Sequence, residues 1–504
     1  MAGRSIARRA HSELAGRRAR LPFSRSDLAG MAQPSSQNLL EGPILRSLLT
    51  LALPIAAANI LQAAYQLNDA FWVGRLGGAA VAAVSVTTPV VFLTIAVGAG
   101  LAIAGSTLIA QYFGARNQEM VNHIAAQTLL MIVIVSAVLG TLGFLATPAL
   151  LRLMGVAPEV YAGALGFMRM SFVGLVFNFF FFMFQSIMRG VGEARFPVLI
   201  VLGTVILNFA LNPLFIFGWG PVPAMGVMGA AVATVGTQSL AAAIALGVLL
   251  RGKHGVHLAW RDFRPDFAYI KRAFFLGLPA SVEQSARALG LTVLTFLITS
   301  FGTLTVAAYG VGSTILQVVM IPAMGLSMAV STLVGQNIGA GNIGRAAQIG
   351  RLGAWLGFGI LSGVGVIVFL FAPALVGFFV PGDAQVIAAG SVFLRTVALS
   401  WGFLGAQLCM TGVLRASGNM VMTMLLTLMS QWVLQFPLSY VLSKHTAMGA
   451  RGIWWAIPIT YVVTVLVTLA VYARGDWKRK RLTEPEEELT DQVTAEILSS
   501  EGRR

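Results

Sequence analysis

The chain has 504 residues, of which 57% are hydrophobic and only 11% are charged, and its mean hydropathy is +0.80. An ordinary soluble domain is roughly 45–50% apolar and about 25% charged, so the composition excludes that class of protein. A net charge of +15 is typical of a nucleic-acid partner in a soluble protein. Here the basic residues concentrate in the tails and in alternate loops, which indicates membrane topology and no nucleic acid.

Long apolar runs alternate along the chain with short clusters of glycine, proline and charged residues. Since roughly 20 apolar residues cross one hydrocarbon core, and backbone polar groups must be satisfied inside it, the runs predict membrane-spanning helices. We predict an all-α polytopic membrane protein with about 12 transmembrane helices, six in each of two lobes. The predicted divisions are a tail at 1–46, a first lobe at 47–250, a loop at 251–272, a second lobe at 273–474 and a tail at 475–504.

The distribution of basic residues predicts which side of the membrane each loop faces. The connection between the halves is rich in arginine and lysine, whereas the loop from Ser300 to Leu304 has neither. We therefore place the connection in the cytoplasm, and an even number of spans returns both tails to that side. We expect a monomer in the lipid bilayer of a bacterial inner membrane. Residues 1–30 lack the apolar core of a secretory signal, so they are a transit peptide or an over-called start ahead of Met31.

An internal repeat relates the two halves. Pro279 follows Pro54 after 225 residues, and the same separation holds without a gap through three further matched pairs. These are Gln111, Gly114 and Asn117 in the first half, and Gln336, Gly339 and Asn342 in the second. Because each half has an even number of spans, the copies share one orientation about an axis along the membrane normal. The repeat predicts a transporter with its substrate path between the halves; a duplicated channel or receptor scaffold is an alternative.

Polar side chains follow one face of the first predicted span. Asn59, Gln62, Gln66 and Asp69 recur at helical spacing, with Tyr65 beside them. A charge at mid-membrane costs roughly 2.5–3.5 kcal/mol on insertion scales, so an unpaired Asp69 is a functional candidate. A proton and a cation compete for such a carboxylate, which exchange requires. The alternative is a structural hydrogen-bonding group near the outer surface. We expect the other four residues to contact substrate.

Glu283 and Arg287 lie one helical turn apart in the seventh predicted span. As an i, i+4 pair they can neutralise each other, so a structural ion pair is one interpretation. The other interpretation is a second proton or substrate site to which both residues contribute.

Motifs for other functions are missing from the sequence. Gly252 and Lys253 precede His254 rather than serine or threonine, so there is no nucleotide-binding P-loop, and no His-Glu-x-x-His motif is present. The only cysteine, Cys409, lies in an apolar run, which leaves no intrachain disulfide and no thiolate metal site. We predict no catalytic residue, no metal and no cofactor.

Five short motifs follow one another along the first half. They are Leu53-Pro54, Asn68-Asp69, Val73-Gly74-Arg75-Leu76-Gly77, the turn from Gln111 to Asn117, and Asn208 ahead of Pro213-Leu214-Phe215. In order and spacing they resemble the multidrug and toxic compound extrusion (MATE) family, and within it the DinF-like branch. The resemblance implies a V-shaped pair of six-helix lobes that exports organic, often cationic, compounds in exchange for protons or sodium ions. It also supports Asp69, because family members place an acidic residue at the matching point.

Two positions depart from the pattern of this family. Many members have an aspartate four residues after the asparagine of the fifth helix, whereas here Asn212 follows Asn208. Val191 stands where some members have a glutamate. The neutral oxygens of Asn208, Asn212 and Thr234 complete the predicted ion-coupling site with Asp69. Fewer carboxylates favour protons over sodium as the coupling ion. A flippase for lipid-linked sugars of the same superfamily is the alternative, and the span count and acidic first helix argue against it.

Overall fold

The structure is a computed structural model that describes residues 40–252 and 254–483. The expectation for residues 1–30 lies outside this part of the chain, and so does the predicted C-terminal tail from residue 484 onward. The described residues form long α-helices, together with short 3₁₀ segments, one π-helical segment and a single isolated β-bridge between Trp219 and Val222. The all-α prediction is confirmed.

Six helices joined by short turns make up the first half. They are α1 (Ile44–Gly74), α2 (Gly78–Gly114), α3 (Gln118–Leu153), α4 (Pro158–Gly190), α5 (Arg195–Phe217) and α6 (Val227–Arg251). Gly77 precedes α2 with φ of 102°, in the left-handed region that glycine adopts without steric cost. Asn117 caps α3, because its side chain accepts a hydrogen bond from the Met120 N–H. The breaks between helices thus coincide with turn residues visible in the sequence.

The second half repeats this series, with two irregular spans. Its helices are α7 (Phe267–Thr299), α8 (Thr303–Gly339), α9 (Ile343–Phe379), α10 (Ala384–Ala398), α11 (Trp401–Ala416), α12 (Met420–Leu428), α13 (Phe436–Lys444) and α14 (Ala450–Arg474). The pair α10 and α11 meets at a bend of 49°. A π-helical segment, Met429–Gln435, joins α12 to α13. Each of these pairs occupies the place of one helix in the first half.

Ten helical stretches of the described chain are long and apolar enough to cross a membrane, and the bent pair makes an eleventh. The remaining long helix, α7, has 33 residues, which is length enough for a span. Its hydropathy is lower because it carries Lys271, Arg272, Glu283 and Arg287. With α7 included, each half has six spans, which confirms the predicted count of about 12.

Each half encloses its own apolar core. In the first lobe, α4 packs against α2, α3 and α6 and buries Phe179 and Phe184 completely. In the second lobe, Phe393 and Trp401 are buried with Trp454 in a separate cluster. A Cβ at Gly312 would lie 2.1 Å from the Phe393 ring, so this glycine lets α8 approach α10. A further cluster joins the halves, because it contains Leu48 and Ile55 of α1 together with Leu333 and Val413 of the second half.

The first helix of each lobe packs across onto the other lobe. The start of α1 lies on α8, and the start of α7 lies on α2. A Cβ at Gly100 would lie 2.2 Å from the Ser281 backbone nitrogen, and one at Gly325 would lie 3.0 Å from that of Ala56. Gly100 and Gly325 are 225 residues apart in the sequence, and so are their partners, Ala56 and Ser281. The contacts between lobes therefore obey the same repeat as the sequence.

The lobes meet most closely where α2 and α8 end, which we name the closed end. A Cβ at Gly114 would lie 1.9 Å from the Gln336 carbonyl oxygen, and one at Gly339 would lie 1.8 Å from that of Gln111. The Gln111 amide donates to the Ala416 carbonyl at 2.7 Å, and the Gln336 amide donates to Gly190 at 2.9 Å. Hydrogen bonds between the described lobes cluster at this end, as expected for a V-shaped pair.

The residues that follow α14 also pack at the closed end. Trp477 is buried against the second lobe. Leu482 crosses to the first lobe, where it is buried, and its N–H donates to Gln111 Oε1 at 2.8 Å while its carbonyl accepts from the Tyr112 hydroxyl. The start of the predicted C-terminal tail is thus part of the contact between lobes.

Candidate functional site

A group of polar side chains lies inside the first lobe, around the carboxylate of Asp69. The Asn212 amide donates to Asp69 Oδ1 at 2.7 Å, and the Thr234 hydroxyl donates to Oδ2 at 3.1 Å. We name this group the first-lobe polar cluster. Its members are Tyr65, Asn68, Asp69, Asn208, Asn212, Thr234 and Thr237. The four residues of the predicted ion-coupling site are all among them.

Helical spacing on three neighbouring helices brings these side chains together. On α5, Asn208 and Asn212 are four residues apart, so they lie one above the other and the Asn212 amide donates to Asn208 Oδ1 at 3.1 Å. From α1, the Asn68 amide donates to the same Asn208 oxygen at 2.7 Å. The Tyr65 hydroxyl forms a hydrogen bond with the Thr237 hydroxyl of α6. One polar network therefore connects α1, α5 and α6.

Only neutral groups hold the Asp69 carboxylate. No basic side chain of the described residues forms an ion pair with it. Asn68 and Asn212 are nearly or fully buried, and the Oδ1 atom of each has no hydrogen-bond partner. A partly buried charge without a counter-ion is costly, and a proton or a bound cation at this carboxylate would remove that cost.

The residues predicted to contact substrate do not all share one place. Gln62 and Tyr65 line a narrow cavity inside the first lobe, with room for about one water molecule. Its other lining residues include Asn178, Phe181, Phe182, Gln185, Thr204 and Gln238. By contrast, Gln66 is exposed and lies outside the cluster. Asn59 is half-buried, and its side-chain amide nitrogen is without a hydrogen-bond partner.

Glu283 and Arg287 lie in the second lobe, apart from the first-lobe polar cluster. The predicted pair is present, because the Arg287 guanidinium donates to Glu283 Oε1 at 3.0 Å. Two further groups, the Arg415 guanidinium and the Thr427 hydroxyl, donate to the same oxygen. Glu283 is completely buried. It is thus the centre of a group of three charges rather than of a simple pair.

Sequence reasoning missed Asn68, Thr237 and Arg415. Thr237 lies three residues after Thr234 on α6, so the helical period was a signal that could have identified it. Asn68 adjoins Asp69 in the sequence, but its contact with Asn208 depends on the packing of α1 against α5. The pairing of Arg415 with Glu283 joins residues 132 positions apart, so no local pattern indicates it.

Comparison with known proteins identifies the family. The profile of the MatE family matches residues 54–214 and again residues 279–441, once in each lobe. The chain belongs to the MATE family. Its members are membrane transporters rather than enzymes, and the resemblance noted in the sequence is thereby confirmed, while the DinF-like branch stays a prediction.

Three relatives show how far the likeness to MATE proteins extends. The probable multidrug resistance protein YoeA of Bacillus subtilis is 30% identical, over 87% of this chain and 95% of its own length. An FAD transporter of Shewanella oneidensis is 27% identical, over 89% and 97%. Among solved structures, an outward-facing multidrug resistance MATE transporter of the MOP superfamily is 25% identical, with a TM-score of 0.82 over 90% of this chain and 99% of that chain.

Proposed function

We propose that this chain is a secondary active multidrug efflux transporter that exports organic compounds, cationic ones among them, in exchange for protons. The observation that carries the proposal is the half-buried Asp69 carboxylate, which accepts hydrogen bonds from the neutral side chains of Asn212 and Thr234. The multidrug resistance relative supports the class of substrate.

The two oxygens of Asp69 differ in their capacity to take a proton. The Asn212 amide nitrogen can only donate, and a hydroxyl oxygen is a weaker acceptor than a carboxylate oxygen, so protonation of Oδ1 would weaken its hydrogen bond. The Thr234 hydroxyl can donate or accept, so a proton on Oδ2 is accommodated when that hydroxyl reverses. We therefore assign the coupling proton to Oδ2. Its arrival removes the negative charge that retains a cation, and its loss restores that charge.

Sodium is the second candidate for the coupling ion. The unpartnered Oδ1 atoms of Asn68 and Asn212 favour it, because a sodium ion takes neutral amide oxygens together with a carboxylate. A single carboxylate in the described cluster favours the proton instead. The choice between the two ions rests on measurement.

The decisive experiment uses the full chain reconstituted in sealed vesicles. Export of rhodamine 6G, a fluorescent organic cation, is measured under a pH gradient without sodium and then under a sodium gradient at constant pH. We expect the pH gradient alone to drive export. Export driven by sodium alone, and lost in its absence, would contradict proton coupling and support the second candidate.

The orientation in the membrane is a further part of the proposal. Arg261, Arg264 and Arg272 lie in or next to the connection between the lobes, on the side of the closed end. By the excess of positive charge in cytoplasmic loops, this end and both termini face the cytoplasm of a bacterial cell. A cysteine at exposed Arg261, in a chain whose only native cysteine is buried, should react with a membrane-impermeant maleimide only from the cytoplasmic side. Reaction from the outside would reverse the assignment.

A further inference from the structure

The second lobe contains a buried group in which positive charge exceeds negative charge. Glu283 is fully buried, and both Arg287 and Arg415 donate to its Oε1. Within residues 40–252 and 254–483, neither arginine pairs with another carboxylate. Two guanidinium groups therefore share one carboxylate, which leaves one positive charge without a counter-ion in the described protein. We name these three residues the second-lobe arginine site.

Both arginines of this site keep unused hydrogen-bonding capacity. The Nε atoms of Arg287 and Arg415 are buried and have no hydrogen-bond partner. The Arg287 side chain is nonetheless 32% exposed, against 14% for Arg415. A guanidinium has five N–H donors in a rigid fork that matches a carboxylate. A partly exposed arginine with free donors and excess charge is therefore suited to bind an organic anion.

The face of α7 that carries this site lies along the π-helical segment. Glu283, Arg287 and Gly290 are spaced by four and three residues, so they share one helix face. Thr427 donates to Glu283 at 3.2 Å. Four residues later, Gln431 Oε1 lies 2.9 Å from the position of a Cβ at Gly290. The stretch from Thr427 to Gln431, which includes the end of α12 and the start of the π-helical segment, thus lies beside α7 from Glu283 to Gly290.

A narrow cavity separates α7 from the π-helical segment. It is lined by Gly290, Leu294, Gln431, Trp432 and Gln435, among others. The Gln431 Oε1 atom is buried without a partner, and Trp432 is 36% exposed. The cavity therefore offers amide groups and an indole ring at the level of Gly290, which lies one helical turn along α7 from Arg287. Single-turn π-helical segments recur at functional sites of helical proteins.

We propose that the second-lobe arginine site, together with Gln431 and Trp432, is a subsite for the carboxylate of an organic substrate. Arg287 pairs with the carboxylate, Gln431 contributes amide hydrogen bonds, and Trp432 contacts the attached ring. The inference rests on the proposed export function and extends its substrates to organic acids and zwitterions. A purely structural group of three charges is the competing explanation, and the two explanations predict different effects of replacing Glu283.

The test is equilibrium binding to the purified full chain in lipid nanodiscs, by fluorescence polarisation. The probes are fluorescein, an anion that carries a carboxylate, and rhodamine 6G, a cation with the same xanthene ring. We expect the wild type to bind fluorescein and Arg287→Gln to weaken that binding at least tenfold, with selectivity shifted toward rhodamine 6G. Arg287→Lys should recover part of the loss, because it restores the charge without the planar fork. Arg395→Gln is the matched control, since Arg395 is exposed in the same lobe, donates to the Phe369 carbonyl and lies over the Phe369 ring.

Glu283→Gln separates binding from architecture. It removes the one negative charge, so two arginines face an incoming anion. We expect fluorescein to bind several-fold more tightly to this variant than to the wild type, and to raise its apparent melting temperature more. A purely structural role predicts no such gain.

The proposal fails if the wild type does not bind fluorescein, or if Arg287→Gln binds it as well as Arg395→Gln does. No ion gradient is present in this assay. Failure here therefore leaves proton coupling at Asp69 standing, and failure of coupling leaves this subsite standing.

Discussion

The first helices of the two lobes match in sequence position but differ in the charges they carry. In α1, Asp69 lies 15 residues after Pro54, whereas in α7, Glu283 lies four residues after the equivalent Pro279. At 1.5 Å per residue, the two carboxylates differ in depth by about 16 Å along equivalent helices. The repeat places Leu294 where α1 has Asp69. The carboxylates are therefore not copies of one ancestral site.

The surroundings of the two carboxylates differ as much as their positions. Asp69 accepts hydrogen bonds only from neutral groups, whereas Glu283 lies between two arginines. A carboxylate held by neutral donors can gain and lose a proton without breaking an ion pair. One held by two guanidiniums cannot lose its charge without leaving both uncompensated. The duplicated scaffold thus combines a lobe suited to proton exchange with a lobe of fixed charge.

The largest expected effect comes from Asp69→Asn. Asparagine keeps the size of the side chain, can accept from Asn212 and can donate to Thr234, but it does not titrate. We expect export of rhodamine 6G under a pH gradient to fall to the level of protein-free vesicles, with insertion in the membrane unchanged. Glu159→Gln, which removes an exposed carboxylate of the same lobe, should export at the wild-type rate. Export by Asp69→Asn at the wild-type rate would show that Asp69 is not the coupling site.

The next effect concerns stability in the second lobe. Removing one partner of a buried ion pair leaves the other uncompensated, so Glu283→Gln should lower the free energy of unfolding by about 3–5 kcal/mol. Unfolding by sodium dodecyl sulfate in mixed micelles measures this quantity, and Asp69→Asn should lose much less. The double variant Glu283→Gln, Arg287→Gln should recover part of the loss, because one uncompensated charge is gone. Equal losses in Asp69→Asn and Glu283→Gln would remove the contrast between the lobes.

The smallest expected effect concerns the closed end, where the two lobes make equivalent contacts. A Cβ at Gly114 or Gly339 would clash with a backbone carbonyl of the other lobe. Gly114→Ala and Gly339→Ala should therefore each cost roughly 1–3 kcal/mol, the usual range for overpacking, and by similar amounts. Gly203→Ala, with open space around its Cβ position, is the control. Apparent melting temperatures of the three variants check this prediction, and a large difference between the first two would show that the closed end is not symmetric.

Sequence reasoning reached the fold because its signals are local or repeated. Apolar runs mark the spans, and the separation of 225 residues predicts two parallel halves. The bend between α10 and α11 and the π-helical segment were not predicted. Neither carries a distinct sequence signal, because the π-helical segment, Met429–Gln435, consists of residue types that α-helices also use.

The candidate site was also predicted only where its signals are local. Helical spacing and resemblance selected Asp69, Asn208, Asn212 and Thr234, which the structure places within one hydrogen-bonded group. The pairing of Arg415 with Glu283 could not be predicted from the sequence, because it depends on how α11 packs near α7. Periodicity orders side chains along one helix, but it does not determine which distant helix supplies a partner.

The contact of Leu482 with the first lobe bears on the order in which the protein is completed. Leu482 follows α14 in the sequence, yet it belongs to the buried cluster of the first lobe, and its N–H donates to Gln111 of α2. Synthesis proceeds from the N-terminus, so the first lobe emerges long before this residue does. Until Leu482 leaves the ribosome, Gln111 Oε1 lacks this donor and the surface that Leu482 covers stays open. The first lobe is therefore completed only after the second lobe has been synthesised, by a residue that follows α14.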